Sequence, residues 1–169
     1  MIVVVVGPAG SGKTTVGRRL ADALGWPFHD GDDYHSPANI ARMRAGAALA
    51  EEDRGPWLAA LAALVARHAT AGMDMVLACS ALRREHRRVL VPAEADADAV
   101  RFVYLRASPE LLAQRLSDRR GHFFGAALLV SQLATLEEPD AGEAAPVLTL
   151  DVDAPVDVLV GRVREALQV

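Results

Sequence analysis

Eight consecutive residues, Gly7-Pro8-Ala9-Gly10-Ser11-Gly12-Lys13-Thr14, constrain this chain more than any other stretch. They match the pattern G-x-x-x-x-G-K-S/T without a gap and lie between segments of different periodicity. Before them, Ile2-Val3-Val4-Val5-Val6 is an unbroken β-branched run, the pattern of a central strand buried on both faces. After them, Val16, Leu20 and Leu24 recur at helical spacing. A strand, a Gly-rich turn and a helix in that order make a phosphate cradle. Gly7, Gly10 and Gly12 let the backbone turn its N–H groups inward, those of Ala9 and Ser11 among them. The helix beginning near Thr14 and Thr15 adds its positive end. Lys13 is expected to reach the β- and γ-phosphates and the Thr14 hydroxyl to ligate Mg²⁺, so Mg-ATP is the expected ligand. Of the 18 basic residues 17 are Arg, and Lys13 is the one Lys. A compact ammonium is kept where a planar guanidinium would not fit inside a closed backbone loop.

The rest of the chain alternates strands with helices. Strands are expected at 26–29, 73–79, 100–105 and 147–152, and helices at 36–48, 56–71, 81–90, 126–136 and from Pro155 to Leu167. Pro56 is read as the first turn of its helix, and Ser108-Pro109-Glu110 as the start of another, with an N-cap, a Pro and an acid in sequence. Residues 92–99 read as an acidic surface loop. Such alternation implies an α/β fold, a three-layer P-loop arrangement with a parallel sheet covered on both faces. With 169 residues and no linker, one domain is expected.

A net charge of −4 argues against nucleic-acid binding, which calls for a basic footprint. No stretch approaches 18 uninterrupted apolar residues, so no membrane span is expected, and the opening run is too short for a signal-peptide core. The single cysteine, Cys79, excludes an internal disulfide and suits a reducing compartment, the cytoplasm.

A phosphate cradle does not separate a kinase from a switch. The residues after the second expected strand bear on that choice: His29-Asp30-Gly31-Asp32-Asp33-Tyr34-His35. Ligands of parallel sheets bind beyond the carboxyl ends of the strands, which puts this acidic segment beside the phosphate loop. Asp30 and Asp32, two apart, project to one side of an extended segment. One carboxylate, that of Asp30, can serve the Mg²⁺ shell while Asp32 accepts the proton of an attacking hydroxyl.

Four blocks now occur in order: Asp30-Gly31-Asp32 with His35 and Pro37; Asp53-Arg54 with Pro56-Trp57-Leu58; Cys79-Ser80-Ala81-Leu82-Arg83; and Arg120-Gly121-His122-Phe123-Phe124. In these the chain resembles gluconokinases of the short P-loop type, relatives of shikimate kinase and of the adenylate-kinase-like nucleoside-monophosphate kinases. The likeness runs from the phosphate loop to Pro155. It implies a five-stranded parallel sheet, a helical substrate insert at about 35–66, a lid at about 119–134 and a homodimer. It implies transfer of the γ-phosphoryl group of Mg-ATP to the 6-hydroxyl of gluconate. By the same resemblance Arg54 is the first candidate for the acceptor carboxylate, with His35, Arg83, His122 and Gln132 as further substrate contacts. Arg119 or Arg120 is the lid cation facing the transferred group, and Arg115 stacks on adenine opposite the Asp153-Ala154-Pro155 turn. Trp57 is read first as packing within the insert, and Cys79 as a small buried hydrophobe. Kinases of shikimate or of a nucleoside monophosphate are the alternatives within enzymes; a nucleotide-dependent binding or switch protein is the alternative outside them.

Overall fold

The computed structural model describes residues 1–45, 47, 49–93, 99–118 and 125–169. The Val-rich run forms β1 (Ile2–Val6), with all five residues buried. It is flanked by β3 (Met75–Cys79) on one side and β4 (Val100–Arg106) on the other. With β2 (Phe28–Asp30) and β5 (Val147–Asp151) at the edges, the sheet runs β2-β3-β1-β4-β5 and every pairing is parallel. The unbroken apolar runs follow from this, because a central parallel strand meets protein on both faces.

The alternation of side chains along β1 divides the core in two. Ile2, Val4 and Val6 point into one layer, with Trp57, Leu61 and Leu64 of α3 (Glu51–Thr70). Val3 and Val5 point into the other, against Val16 and Leu20 of α1 (Lys13–Leu24) and Leu159 and Val163 of α7 (Val156–Leu167). A third, smaller cluster joins Leu112 and Leu116 of α5 (Pro109–Ser117) to Leu129 of α6 (Gly125–Thr135), beside the phosphate loop. The remaining helices are α2 (Pro37–Arg44) and α4 (Arg84–Val89).

Several boundaries differ from expectation. The third helix begins at Glu51, so Pro56 lies in its second turn, where it cannot donate to the Glu52 carbonyl. The early start comes from an acidic first turn, Glu51, Glu52 and Asp53, facing the positive helix end. The Asp53 carboxylate reaches back to accept the Ala50 N–H at 2.9 Å. Asp53 also receives Arg42 Nη1 on both oxygens at 2.8 Å, and its carbonyl accepts Asn39 Nδ2 at 2.8 Å, which locks α2 against α3. Arg54 therefore sits on the first turn of α3 and not between two helices. The fourth helix starts at Arg84 and not at Ala81, because Ala81 adopts φ 34°, outside the right-handed helical region. The N-cap is Arg83, without a side-chain cap, and the Arg84 N–H is met by Glu137 Oε2 at 2.7 Å. The second strand starts at Phe28, two residues later than expected. Ser108 behaves as expected, its hydroxyl accepting the Leu111 N–H at 3.2 Å.

Candidate active site

Three parallel strands, β1, β2 and β3, deliver their carboxyl ends to one place. Gly7, Gly10 and Gly12 hold φ of 148°, 84° and 95°, and the loop closes onto α1. At Gly7 a Cβ would lie 2.8 Å from Ser11 Oγ and 3.0 Å from the Leu105 carbonyl, so only glycine fits there. Lys13 Nζ donates to the Pro8 carbonyl at 3.0 Å. The Ala9 N–H, one of the inward-turned amides, donates to Gln132 Oε1 of α6 at 2.6 Å. Ser11 Oγ is buried without a hydrogen-bond partner among the described residues.

From β2 the chain passes into a single 3₁₀ turn, Gly31–Tyr34, whose start is capped by Asp30. One Asp30 oxygen accepts the Asp32 N–H at 3.1 Å; the other accepts the Thr14 hydroxyl at 2.9 Å. The acidic segment is thereby tied to the phosphate loop. A buried Gly31 allows the turn to sit on β3, since a Cβ there would lie 2.8 Å from Cys79 Cβ. The Gly31 carbonyl accepts Trp57 Nε1 at 2.7 Å, and the Trp57 ring stacks on His35 at 4.6 Å and 8°. Trp57 is 3% exposed, so it packs the insert onto the acidic turn and also forms a wall of the site. His35 Nδ1 is buried with no partner among the described residues.

Electrostatics distinguish the two acids. Burial of its carboxyl, then the neighbouring charge of Asp30, raise the Asp32 pKa above the ordinary range, and Lys13 and His35 pull against them. Asp32 is nevertheless exposed as a residue, at the mouth of the site, so solvent tempers both effects. Burial lowers the His35 pKa, with Arg54 adding to the effect and Asp32 opposing it. Burial pushes the Cys79 thiol up to about 12, which leaves it a small apolar filler.

These groups open on one cavity of about 210 Å³. Its lining includes Ala9, Gly10, Gly12, Lys13, Thr14 and Thr15 from the loop, Asp30, Asp32 and His35 from the acidic turn, and Arg54 and Trp57 from α3. Ser80 and Leu82 follow β3, His86 comes from α4, and Leu128, Ser131, Gln132 and Thr135 come from α6. Oxygen donors at Thr14 and Asp30, 2.9 Å apart, suit a hard cation such as Mg²⁺.

The family description that matches residues 2–139 is an AAA domain. The gluconokinase of Gluconobacter oxydans is 44% identical over 157 residues, spanning 93% of this chain and 85% of its own. The thermoresistant gluconokinase of Escherichia coli is 37% identical over 168 residues, spanning 99% and 93%. The chain belongs to the gluconokinase family. A crystal structure of a gluconokinase from Sinorhizobium meliloti superposes on this gluconokinase-family fold with a TM-score of 0.83 at 39% identity, covering 98% of this chain and 90% of that one.

Not every residue expected in this gluconokinase-family site faces the cavity. Arg83 lies outside the lining and pairs with Glu85 at 3.3 Å and Glu51 at 3.7 Å. Arg115 is held away from the acceptor side, Nη2 donating to the Val152 carbonyl at 3.0 Å and Nη1 to the Ser11 carbonyl at 3.5 Å. It thus bridges the phosphate loop to the segment carrying Asp153 and Pro155. Asp153 is exposed with Arg162 at 3.8 Å, and Pro155 caps α7. Arg119, Arg120 and His122 lie outside the described residues. Sequence reasoning missed His86, which is 5% exposed and lines the cavity. A histidine inside an Arg-rich helix gave no signal of its own, because its polar partner, Glu51, lies 35 positions earlier.

Proposed function

We propose that this protein transfers the γ-phosphoryl group of Mg-ATP to the 6-hydroxyl of D-gluconate, giving 6-phospho-D-gluconate and ADP. One observation carries the reading: the phosphate loop, the Asp30/Asp32 pair and Arg54 share a single cavity. A switch protein has no need of a proton acceptor and a carboxylate-binding cation on the same wall as its phosphate cradle.

Asp32 takes the proton of the 6-hydroxyl as its oxygen bonds to the γ-phosphorus and the bond to the β–γ bridging oxygen breaks. A raised pKa suits that base, since the proton is better held once it arrives. The loop amides and Lys13 hold the terminal phosphates in line with the hydroxyl. Thr14 and Asp30 would hold Mg²⁺, which supplies neutralisation of the phosphate charge. Arg54 receives the gluconate carboxylate with the forked geometry that a guanidinium offers. His35, whose Nδ1 has no partner among the described residues, and Gln132 meet the acceptor hydroxyls. Arg119 or Arg120 meets the transferring group, His122 closes over the sugar acid, and Arg115 borders adenine with Asp153 and Pro155. A homodimer in the cytoplasm completes the proposal, by the habit of the family.

ADP release in a coupled assay with Mg-ATP tests it, over a panel of gluconate, shikimate and nucleoside monophosphates. Turnover is expected with gluconate. Silence with gluconate and turnover with another member of the panel refutes the substrate.

A further inference from the structure

We propose that Glu51 is a positioning residue for the acceptor, aiming the Arg54 guanidinium and the His86 imidazole into the cavity from just outside it. The proposal rests on the reading of Arg54 as the contact to the gluconate carboxylate. Glu51 is the first residue of α3 and does not line the cavity, whereas Arg54 and His86 do. Its Oε1 pairs with Arg54 Nη1, one helical turn on, and its Oε2 lies 3.1 Å from His86 Nε2 on α4. Arg83 Nη1 approaches the same carboxylate at 3.7 Å. One carboxylate thus ties the acceptor insert to the helix that follows β3, and it does so behind the two cavity-facing groups.

The arrangement differs from a chance surface ion pair in the burial of the two partners, although the Glu51 side chain itself is 47% exposed. The side chains of His86 and Arg54 are 7% and 22% exposed, so neither has many other orientations open to it. Arg54 spends Nη1 on Glu51, and a guanidinium has further N–H donors to offer an incoming carboxylate. Fixing one edge of the fork removes side-chain freedom that acceptor binding would otherwise have to remove. Glu85 also stands close to Glu51 and His86, but Arg54 and Arg83 already occupy the Glu51 carboxylate, which makes the cluster an ion-pair network and not a cation site. Burial pushes the Glu51 carboxyl up, and the His86 hydrogen bond with the charges of Arg54 and Arg83 more than reverses this, so Glu51 stays ionised near neutral pH.

Steady-state kinetics of the full chain with Glu51→Gln, Arg54→Ala and the double variant test the assignment. Glu51→Gln keeps shape and removes charge. It is expected to raise the gluconate KM about 10-fold, equivalent to ~1.4 kcal/mol, with kcat and the ATP KM close to wild type. In the Arg54→Ala background the same change is expected to add far less, since the group being aimed is gone. An unchanged or lowered gluconate KM overturns the proposal, a lowered one meaning that Glu51 competes with the acceptor. An ATP KM that rises in step overturns it too, as does an effect undiminished in Arg54→Ala. Wild-type silence with gluconate is a separate result that refutes the substrate. The same variants are then run with whichever acid turns over, and an acceptor lacking any acid group overturns both.

Discussion

Replacing Arg87 by Ala is expected to destabilise the protein by about 3 kcal/mol. Arg87 is 1% exposed, and it meets Glu143 through two parallel bonds, Nε to Oε2 at 3.0 Å and Nη2 to Oε1 at 2.5 Å. Its Nη1 also donates to the carbonyls of Ala81 and Leu82, both at 3.1 Å. Loss of the guanidinium strands a carboxylate that is 3% exposed, together with two carbonyls. Breaking a buried pair from one side costs roughly 3–5 kcal/mol. Arg84 Nε, 3.8 Å from Glu143, offers partial compensation, which favours the lower end. For a chain of this size each kcal/mol moves the melting temperature by about 2–4 °C, so a fall of roughly 6–12 °C is expected. Urea unfolding with equal m-values for wild type and variant gives the free energy directly. Replacing both partners, Arg87→Met with Glu143→Leu, is expected to recover most of the loss, because no charge is then left buried. A single variant within about 0.5 kcal/mol of wild type would refute the reasoning. So would a double variant no better than the single one.

Other outcomes follow from the same geometry. Asp32→Asn is expected to cut transfer by about 100-fold or more, read as kcat in the coupled assay; near-normal turnover sinks the base assignment. Because the folded-state pKa of Asp32 is raised, its ionisation opposes folding. That penalty is absent below the ordinary carboxyl range and complete above the raised value. The melting temperature of Asp32→Asn should therefore match wild type in acid and exceed it at pH 8, by a small margin because the residue is exposed at the mouth of the site. Gly31→Ala forces a Cβ to 2.8 Å from Cys79 Cβ and 2.9 Å from the Ala78 carbonyl. A cost of about 1–3 kcal/mol and a displaced Asp32 are expected, seen as a lower melting temperature and a lower kcat together. Trp57→Phe removes the donor to the Gly31 carbonyl and should cost about 1–3 kcal/mol in urea unfolding, with no change meaning that water replaces the bond.

The phosphate loop, the buried central strand and the nearness of the acidic segment to the loop were legible because each depends on neighbours in sequence. Asp30 and Asp32, however, do not share an extended segment: Asp30 caps a 3₁₀ turn that contains Asp32. Gly7 to Thr14 carry their own conformation, and β1 announces itself by having no polar face. Where partners are distant the reading failed. Pro56 looks like a helix start by every local rule, yet the acids at 51–53 begin the helix earlier and α2 holds it through Arg42 and Asn39. The helix expected from 81 starts at Arg84, and the oxygen that meets its first N–H comes from Glu137, 53 positions on. Trp57 was read as packing, and it packs; that its indole also holds the acidic turn needed the Gly31 contact, 26 positions back.

The sheet's centre has a consequence for synthesis on the ribosome. Ile2 pairs with Met75 on one flank and with Val100 on the other, so β1 is made before both of its sheet neighbours and waits for them while far more chain is added. At about 5–20 residues per second the wait for β4 lasts on the order of 5–20 s. Until then the strand's five apolar residues lack the sheet partners that flank them in the fold. The nucleotide cradle is thus translated well before the strands that flank it, and a chain stalled before residue 100 would carry its whole phosphate signature on a sheet still missing β4 and β5.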